Sequence, residues 1–323
     1  MQVVEQVEMT IMNQSKAFSP KRKALLIFAL TKEVEKAEAL ERKFLLSQQS
    51  IIEMYDFMSI FRSDKDVEDI FRGIDFLPKE ENSQKVKTWV DKICRIHTHA
   101  CNTPSGKNYF DRLPEVNGQY GKELDWIIDK AEAMAGSAEK LLDIGCGNGR
   151  HLNYIHQHRP RLMLNGIDTS EYAIQLAKHR ELRGDMPSGT FYQADMRHLP
   201  FPDNTFDIVI SRFSLFCLPL SPTGEGGLHE VMREVARVLK PGGMMYGLTR
   251  RGKGISFYCL AQLLEREDVE LLAHQTGLDV HGFHEFDINN TLHKGNEFNK
   301  IHSAISSCIS FQLIKPLNWS KPE

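Results

Sequence analysis

The stretch Leu141-Leu142-Asp143-Ile144-Gly145-Cys146-Gly147-Asn148-Gly149-Arg150 narrows the possible folds more than any other part of this chain. It reads as a buried strand ending in an acid, a loop with glycine at every second position, and a helix opening near Arg150. Glycines so placed let the backbone turn tightly and approach a ligand, because no Cβ stands in the way. Their spacing also separates ligand classes. A dinucleotide turn needs G-x-G-x-x-G, with the third glycine easing helix–strand packing and a pyrophosphate at the helix N-terminus. Counted from Gly145, that third glycine falls at position 150, which is Arg150. The pattern here is D-x-G-x-G-x-G instead, and an ordinary glycine-rich strand–helix turn is its plain alternative.

The segments that follow keep step with it. Leu162-Met163-Leu164-Asn165-Gly166-Ile167-Asp168 is a second apolar run ending in an acid. A carboxylate at the carboxyl end of the next parallel strand accepts the ribose hydroxyls of a bound nucleoside. Ser170 opens a periodic segment with Tyr172, Ala173, Leu176 and Ala177. Asp168 and Thr169 therefore sit at a strand–helix junction, where helix capping is the other use for Asp168. Next comes Phe191-Tyr192-Gln193-Ala194-Asp195-Met196, then the turn cluster Leu199-Pro200-Phe201-Pro202-Asp203-Asn204-Thr205 before the run Phe206–Ser211. Arg237-Val238-Leu239-Lys240-Pro241-Gly242-Gly243 closes a helix and leads into the strand 244–248.

These four ordered motifs resemble those of class I S-adenosylmethionine-dependent methyltransferases. The resemblance implies an α/β, Rossmann-like sheet of seven strands whose last strand inserts antiparallel, with S-adenosylmethionine as cofactor. That molecule carries no phosphate, so the loop has to fit an amino-acid tail rather than neutralise a diphosphate. The same resemblance assigns Asp143, Gly145, Cys146, Gly147 and Gly149 to the methionine-tail end and Asp168 with Thr169 to the ribose. It has Asp195 accept from the adenine amine, Met196 pack on the ring, and Ser211 close the fourth strand. Asn108–Leu113 and Gly118–Gly121 resemble the segment that closes over the methionine tail, which makes Tyr109 or Tyr120 a candidate contact.

Ser211-Arg212-Phe213-Ser214-Leu215-Phe216-Cys217-Leu218 is similar to the S-R-F-x-L-H-H segment of ubiquinone/menaquinone-biosynthesis-type small-molecule enzymes. Arg212, Phe213 and Phe216 are thereby candidate substrate contacts. Plainer roles stay open: the two phenylalanines as core, and Arg212 as the partner of an acid at the sheet edge. Phe216-Cys217 stand where that family often has histidines, so no base carries over, and Cys217 reads as a buried inert thiol. His229, His151 and His198 remain as candidate bases, and no catalytic residue is fixed.

The whole chain sets further bounds. With 323 residues it exceeds a typical domain, and its net charge of −3 lacks the basic excess of a dedicated nucleic-acid binder. Lys21-Arg22-Lys23 and Arg250-Arg251-Gly252-Lys253 read as solvated surface. Six scattered cysteines, with no C-x-x-C pair and no zinc spacing, suit a reduced compartment and no bound metal. No signal or membrane-spanning run is evident, so a cytoplasmic location is expected.

Two domains are expected, a helical unit over residues 1–105 and a catalytic domain over 106–323. An apolar stripe from Leu26 to Phe61 and a helix over Val86–Cys101 mark the first, with a linker at Leu77–Ser83. Dimerisation, a lid over the site, and a partner-binding arm are its open uses. In the second, strands are expected near 141–145, 162–168, 190–196, 206–211 and 244–249, a long helix over Phe257–His274, and final strands at Val280–Phe286 and Ile309–Leu317. The expected activity is methyl transfer to a small-molecule acceptor, with a tRNA or protein methyltransferase and a non-catalytic scaffold as the alternatives.

Overall fold

The computed structural model describes residues 83–102, 104–111, 113–116, 118–135, 138–221, 224–251, 262–286 and 308–320. The stripe between Leu26 and Phe61, the residues before Ser83 in the proposed linker, and any homodimer contact through them lie outside these residues.

Seven strands form one sheet: β1 (Lys140–Ile144), β2 (Met163–Asp168), β3 (Phe191–Gln193), β4 (Phe206–Arg212), β5 (Leu239–Arg250), β6 (Asp279–Phe286) and β7 (Cys308–Ile314). Their order is β3-β2-β1-β4-β5-β7-β6. The first five run parallel, and β7 lies antiparallel between β5 and β6. This is the Rossmann-like methyltransferase sheet that the motifs implied. The sequence reason is visible in β1 and β4, whose residues Leu141–Ile144 and Phe206–Arg212 are all buried. Strands covered by helices on both faces carry such continuous apolar runs rather than an alternation.

The sheet order reverses between β1 and β4, and in such sheets ligands bind beyond the carboxyl ends at that switch point. Asp143 sits there, level with Gly166 of β2 and Ile210 of β4. Three helices frame that end. The first two, α1 (Ser83–Asn102) and α2 (Pro104–Asp111), precede the sheet, and α3 (Gly118–Ala135) leads into β1. The crossovers are α4 (Arg150–His158), α5 (Glu171–Leu182), a 3₁₀ turn (Leu215–Cys217) with α6 (Gly227–Val238), and α7 (Arg266–Thr276).

Helix α1 confirms the expected helix over 86–101 and lies against the domain. Val90 packs within 3.2 Å of where a Gly226 Cβ would stand, before α6. At its other end the Thr98 hydroxyl donates to Thr169 Oγ1 at 3.4 Å, and Asn102 Oδ1 accepts from Ser170 Oγ at 3.2 Å. The helix thus spans the carboxyl edge from the start of α6 to the β2–α5 junction.

Four boundaries differ from expectation, the simplest being the last strand, which ends at Ile314 rather than Leu317. The helix expected over Phe257–His274 begins only at Arg266; residues 252–261 lie outside the description, and Leu264 forms a parallel bridge with Arg251. The start is set by a capping box: Asp268 Oδ2 accepts from the Glu265 amide at 2.8 Å, and the Glu265 carboxylate answers the Asp268 amide. Strand β3 stops at Gln193, which leaves Asp195 and Met196 in the turn that follows. Helix α6 ends at Val238, so Lys240-Pro241-Gly242-Gly243 belongs to the irregular start of β5.

Candidate active site

Backbone conformation builds the glycine loop. Gly145, Gly147 and Gly149 have φ of +78°, +55° and +76°, the left-handed region in which side chains are strained. Packing closes two of these positions outright. A Cβ on Gly145 would lie 2.2 Å from Ser214 Cβ, and one on Gly149 would lie 2.6 Å from Phe191 Cζ. At Gly147 the nearest atom is Phe110 Cε1, 3.4 Å away. The amides of Gly145 and Cys146 both donate to Ile167 O, at 2.8 and 2.9 Å, and pin the loop to the end of β2.

Asp168 finishes the loop. Its Oδ2 accepts from the Gly147 amide at 3.0 Å and its Oδ1 from the Ser170 amide at 2.8 Å. The capping role goes to Ser170, whose hydroxyl accepts from Ala173 N at 3.2 Å. Asp168 is therefore a fixed carboxylate with lone pairs remaining for a ligand. Burial pushes its carboxyl up, against the backbone N–H groups of Ser170, Gly147 and Thr169.

Asp143 is fully buried, and its Oδ2 lies 3.5 Å from His151 Nδ1. Burial raises its carboxyl to about 7, opposed by Arg212. The same burial, with the Arg212 and Arg150 charges, drives His151 well below the usual histidine range and keeps its ring neutral. Asp195 is held by a fork from Arg197, with Nη2 and Nε at 2.7 and 3.0 Å from Oδ2. Burial acts to raise Asp195, but the Arg197 bonds outweigh it and leave the carboxyl below its usual value. Met196 Cε reaches within 3.4 Å of the Gly145 Cβ direction, so this side chain lies over the loop.

The fourth strand ends in a lock. Ser211 Oγ and Ser214 Oγ are 2.6 Å apart, and Ser214 donates to Ile144 O at 2.7 Å. Between them Phe213 has φ +54°, a strained geometry for an aromatic residue, held by its amide bond to Leu248 O at 2.8 Å. Phe216 is half-buried, with the Arg250 guanidinium 4.8 Å from its ring centre. The Arg212 side chain is wholly buried, and its Nη2 donates to Glu123 Oε2 at 2.6 Å. Tyr246 donates to the other oxygen of Glu123 at 2.7 Å. Arg212 thus takes the plainer of its two roles, the partner of an acid.

Glu123→Gln leaves that buried guanidinium without its carboxylate. The expected loss is about 3 kcal/mol of stability, read by urea denaturation. Arg212→Met in the same chain should recover most of it.

The candidate bases fare differently. His229 has both ring nitrogens engaged, Nδ1 with Gln275 Oε1 at 2.6 Å and Nε2 with Ser221 O at 3.0 Å. His198 is exposed on the turn after Asp195. Tyr109 is 41% exposed, and its neighbour Phe110 is the ring that meets the loop. Asn148 was not singled out by sequence, yet its amide donates to Phe110 O at 3.2 Å and fastens α2 to the loop.

The donor set favours one kind of ligand. Asp143 and Asp168 flank the loop, and Arg150, the cation of the motif, donates to Pro114 O at 2.9 Å. A diphosphate at the start of α4 would meet these carboxylates, whereas a cationic amino-acid nucleoside would find acceptors.

Comparison with known proteins agrees. Residues 142–247 match the family model described as a methyltransferase domain. Over these residues the chain is similar to methyltransferase domains, and its sheet has the class I order.

The chain is 34% identical over 110 residues to 27-O-demethylrifamycin SV methyltransferase of Amycolatopsis mediterranei, covering 34% of this chain and 38% of the relative. It is 31% identical over 179 residues to 24-methylenesterol C-methyltransferase 2 of Arabidopsis thaliana, covering 52% and 45%. A 33% match over 165 residues, covering 50% and 44%, reaches the mitochondrial arginine-hydroxylase NDUFAF5 of Rattus norvegicus. The chain therefore spans less than half the length of each of these relatives.

Among solved structures, phosphoethanolamine N-methyltransferase 2 of Haemonchus contortus, in complex with S-adenosyl-L-methionine, superposes with a TM-score of 0.52 at 17% identity. That match covers 69% of this chain and 60% of the other. The cyclase SpnF gives 0.50 at 18% identity, covering 70% and 97%. Both support the fold. No helix among the described residues is long and apolar enough to cross a membrane.

Proposed function

We propose that this domain transfers a methyl group from S-adenosylmethionine to a small-molecule acceptor held beside Phe213 and Phe216. One observation carries the reading: the Asp168 carboxylate is fixed by the Gly147 and Ser170 amides at the mouth of a loop whose three glycines are all left-handed. When bound, the cofactor supplies an electrophilic methyl group on a sulfonium. The chain orients the reactants and excludes water, and positioning of this kind lowers barriers by several kcal/mol. Asp168 and Thr169 take the ribose, Asp195 and Met196 the adenine, and Asp143, Cys146 and the loop backbone the amino-acid tail, with Ser211 setting the loop through Ser214.

Neither His229 nor His151 is placed to take a proton, because one is bonded at both nitrogens and the other faces Asp143 in the interior. Without a base from these two histidines, an acceptor that is nucleophilic on its own, or that releases its proton to water, fits the described residues. The rifamycin and sterol enzymes among the relatives, by their names, favour a bulky apolar acceptor, and the two phenylalanines suit one. The arginine-hydroxylase relative favours a second reading, a protein acceptor.

The deciding experiment is a transfer assay with methyl-labelled S-adenosylmethionine against natural-product, protein and tRNA acceptors. Label in a small molecule supports the proposal; label only in protein or tRNA replaces it with that alternative. Label in none of them, beside measurable cofactor binding, leaves a scaffold.

Cofactor affinity should also depend on pH. The Asp143 carboxyl, raised to about 7, accepts a cationic amine only when ionised. Affinity is then full above pH 7 and falls as the pH drops through it. The sign for stability is opposite: a raised carboxyl favours the ligand-free fold below the ordinary carboxylate pKa and loses that contribution as pH rises through about 7. Calorimetry at pH 6.0 and 7.5 checks the first trend, and Asp143→Asn should flatten it.

A further inference from the structure

Arg197 makes two attachments from one guanidinium. Its Nε and Nη2 grip Asp195, with three contacts between 2.7 and 3.2 Å, while its Nη1 donates to Asp91 Oδ1 of α1 at 2.8 Å. The Arg197 side chain is 15% exposed, against 33% for Asp195 and 41% for Asp91. Asp195 and Asp91 are 104 residues apart in sequence, and the Arg197 fork joins them.

The rest of α1 continues along the same edge. Val90 rests on Gly226 and Gly227, Cys94 is buried one turn on, Thr98 meets Thr169, and Asn102 Oδ1 faces Ser170 Oγ and the Tyr172 amide. Positions 91, 94, 98 and 102 recur at helical spacing, so one face of α1 lies across the turn after β3 and the β2–α5 junction. These are the two places assigned to adenine and ribose.

We infer that Arg197 is a positioning residue that couples the adenine-reading acid to the covering helix. The inference rests on the cofactor reading above. Gripped from one side, Asp195 presents its remaining lone pairs in a fixed direction, as bidentate guanidinium pairing enforces. Because the same guanidinium holds Asp91, lifting α1 removes one anchor of Arg197 and leaves its grip on Asp195 without support from the helix. Release of the nucleoside product then requires breaking a link remote from the transferred methyl group. The interaction is partly exposed, so its stability contribution is small; its consequence is kinetic.

The test uses the full chain, S-adenosylhomocysteine as probe, and three variants. Asp91→Asn should speed dissociation about tenfold with little change in association rate, and Arg197→Gln should speed it further. The double variant should match Arg197→Gln alone, since that substitution already removes the link that Asp91→Asn cuts. Asp91→Glu, which keeps a carboxylate on α1, should restore most of the slow dissociation.

Hydrogen exchange of ligand-free protein provides an arm that needs no cofactor: residues 83–102 should exchange faster in Asp91→Asn and Arg197→Gln, while β1 and β4 stay protected. Protected strands exclude general unfolding as the cause. Wild-type dissociation and α1 exchange in Asp91→Asn, or effects of the two substitutions that multiply independently, would overturn the inference. A wild-type chain that bound no S-adenosylhomocysteine would defeat the cofactor reading, and exchange at α1 would still decide the link.

Discussion

Asp168→Ala is expected to weaken binding of S-adenosylhomocysteine more than a hundredfold. The substitution acts twice. It removes the acceptor for a ribose, and it frees the Gly147 and Ser170 amides, now bonded at 3.0 and 2.8 Å. A hydrogen bond to a charged group contributes roughly 1.5–3 kcal/mol, and leaving partners unpaired adds to the loss. About 3 kcal/mol corresponds to a little over two decades in Kd. Asp168→Asn separates the two effects. An amide oxygen still accepts from Gly147, but it accepts less strongly from ribose hydroxyls, so the loss should fall between those of wild type and alanine. Calorimetric titration of all three chains measures this series, and a wild-type Kd in Asp168→Ala would refute the ribose assignment.

The second large effect is on stability. Gly149→Ala places a Cβ at φ +76°, 2.6 Å from Phe191 Cζ and 3.2 Å from Ala177 Cβ. The left-handed conformation costs an L residue about 1–2 kcal/mol. Overpacking against a fully buried phenylalanine adds about 1–3 kcal/mol. The sum, about 2–5 kcal/mol, is a sizeable fraction of the roughly 5–15 kcal/mol that holds a typical domain folded. Urea unfolding of Gly149→Ala should therefore show a much lower midpoint at unchanged slope. Adding Phe191→Leu relieves the contact but not the backbone strain, so recovery should be partial. A midpoint within error of wild type would mean that the loop adopts another conformation.

Both effects concern residues that were readable before any coordinates, and the reason is physical. Gly145 and Gly149 combine positive φ with close approach, and Gly147 has positive φ alone, demands that glycine meets without strain. Asp168 stands at a strand end because the parallel fold puts its ligands there. The sheet followed from apolar runs such as Phe206–Ser211, and the antiparallel final strand came from the family resemblance.

What sequence did not reveal depends on contacts between distant residues. Arg212 and Glu123 are 89 positions apart, and nothing local marks Glu123 as the partner. Arg197 looked like one charge in a turn, and its tie to Asp91 exists only because α1 folds back over the sheet edge. Tyr109 and Phe110 are adjacent aromatic residues pointing in different directions, and packing on Gly147 selected Phe110. The missed start of α7 has a local cause: the Glu265–Asp268 capping box sets the first turn at Arg266, within the apolar stretch expected to be helical.

The central claim is that left-handed glycines and strand-end carboxylates form a cradle for a sulfonium nucleoside. Titration calorimetry of the wild-type chain against S-adenosylhomocysteine, with NAD⁺ titrated in parallel, tests it most directly. The account predicts saturable heat with the first and none with the second. Heat from NAD⁺ alone would contradict it.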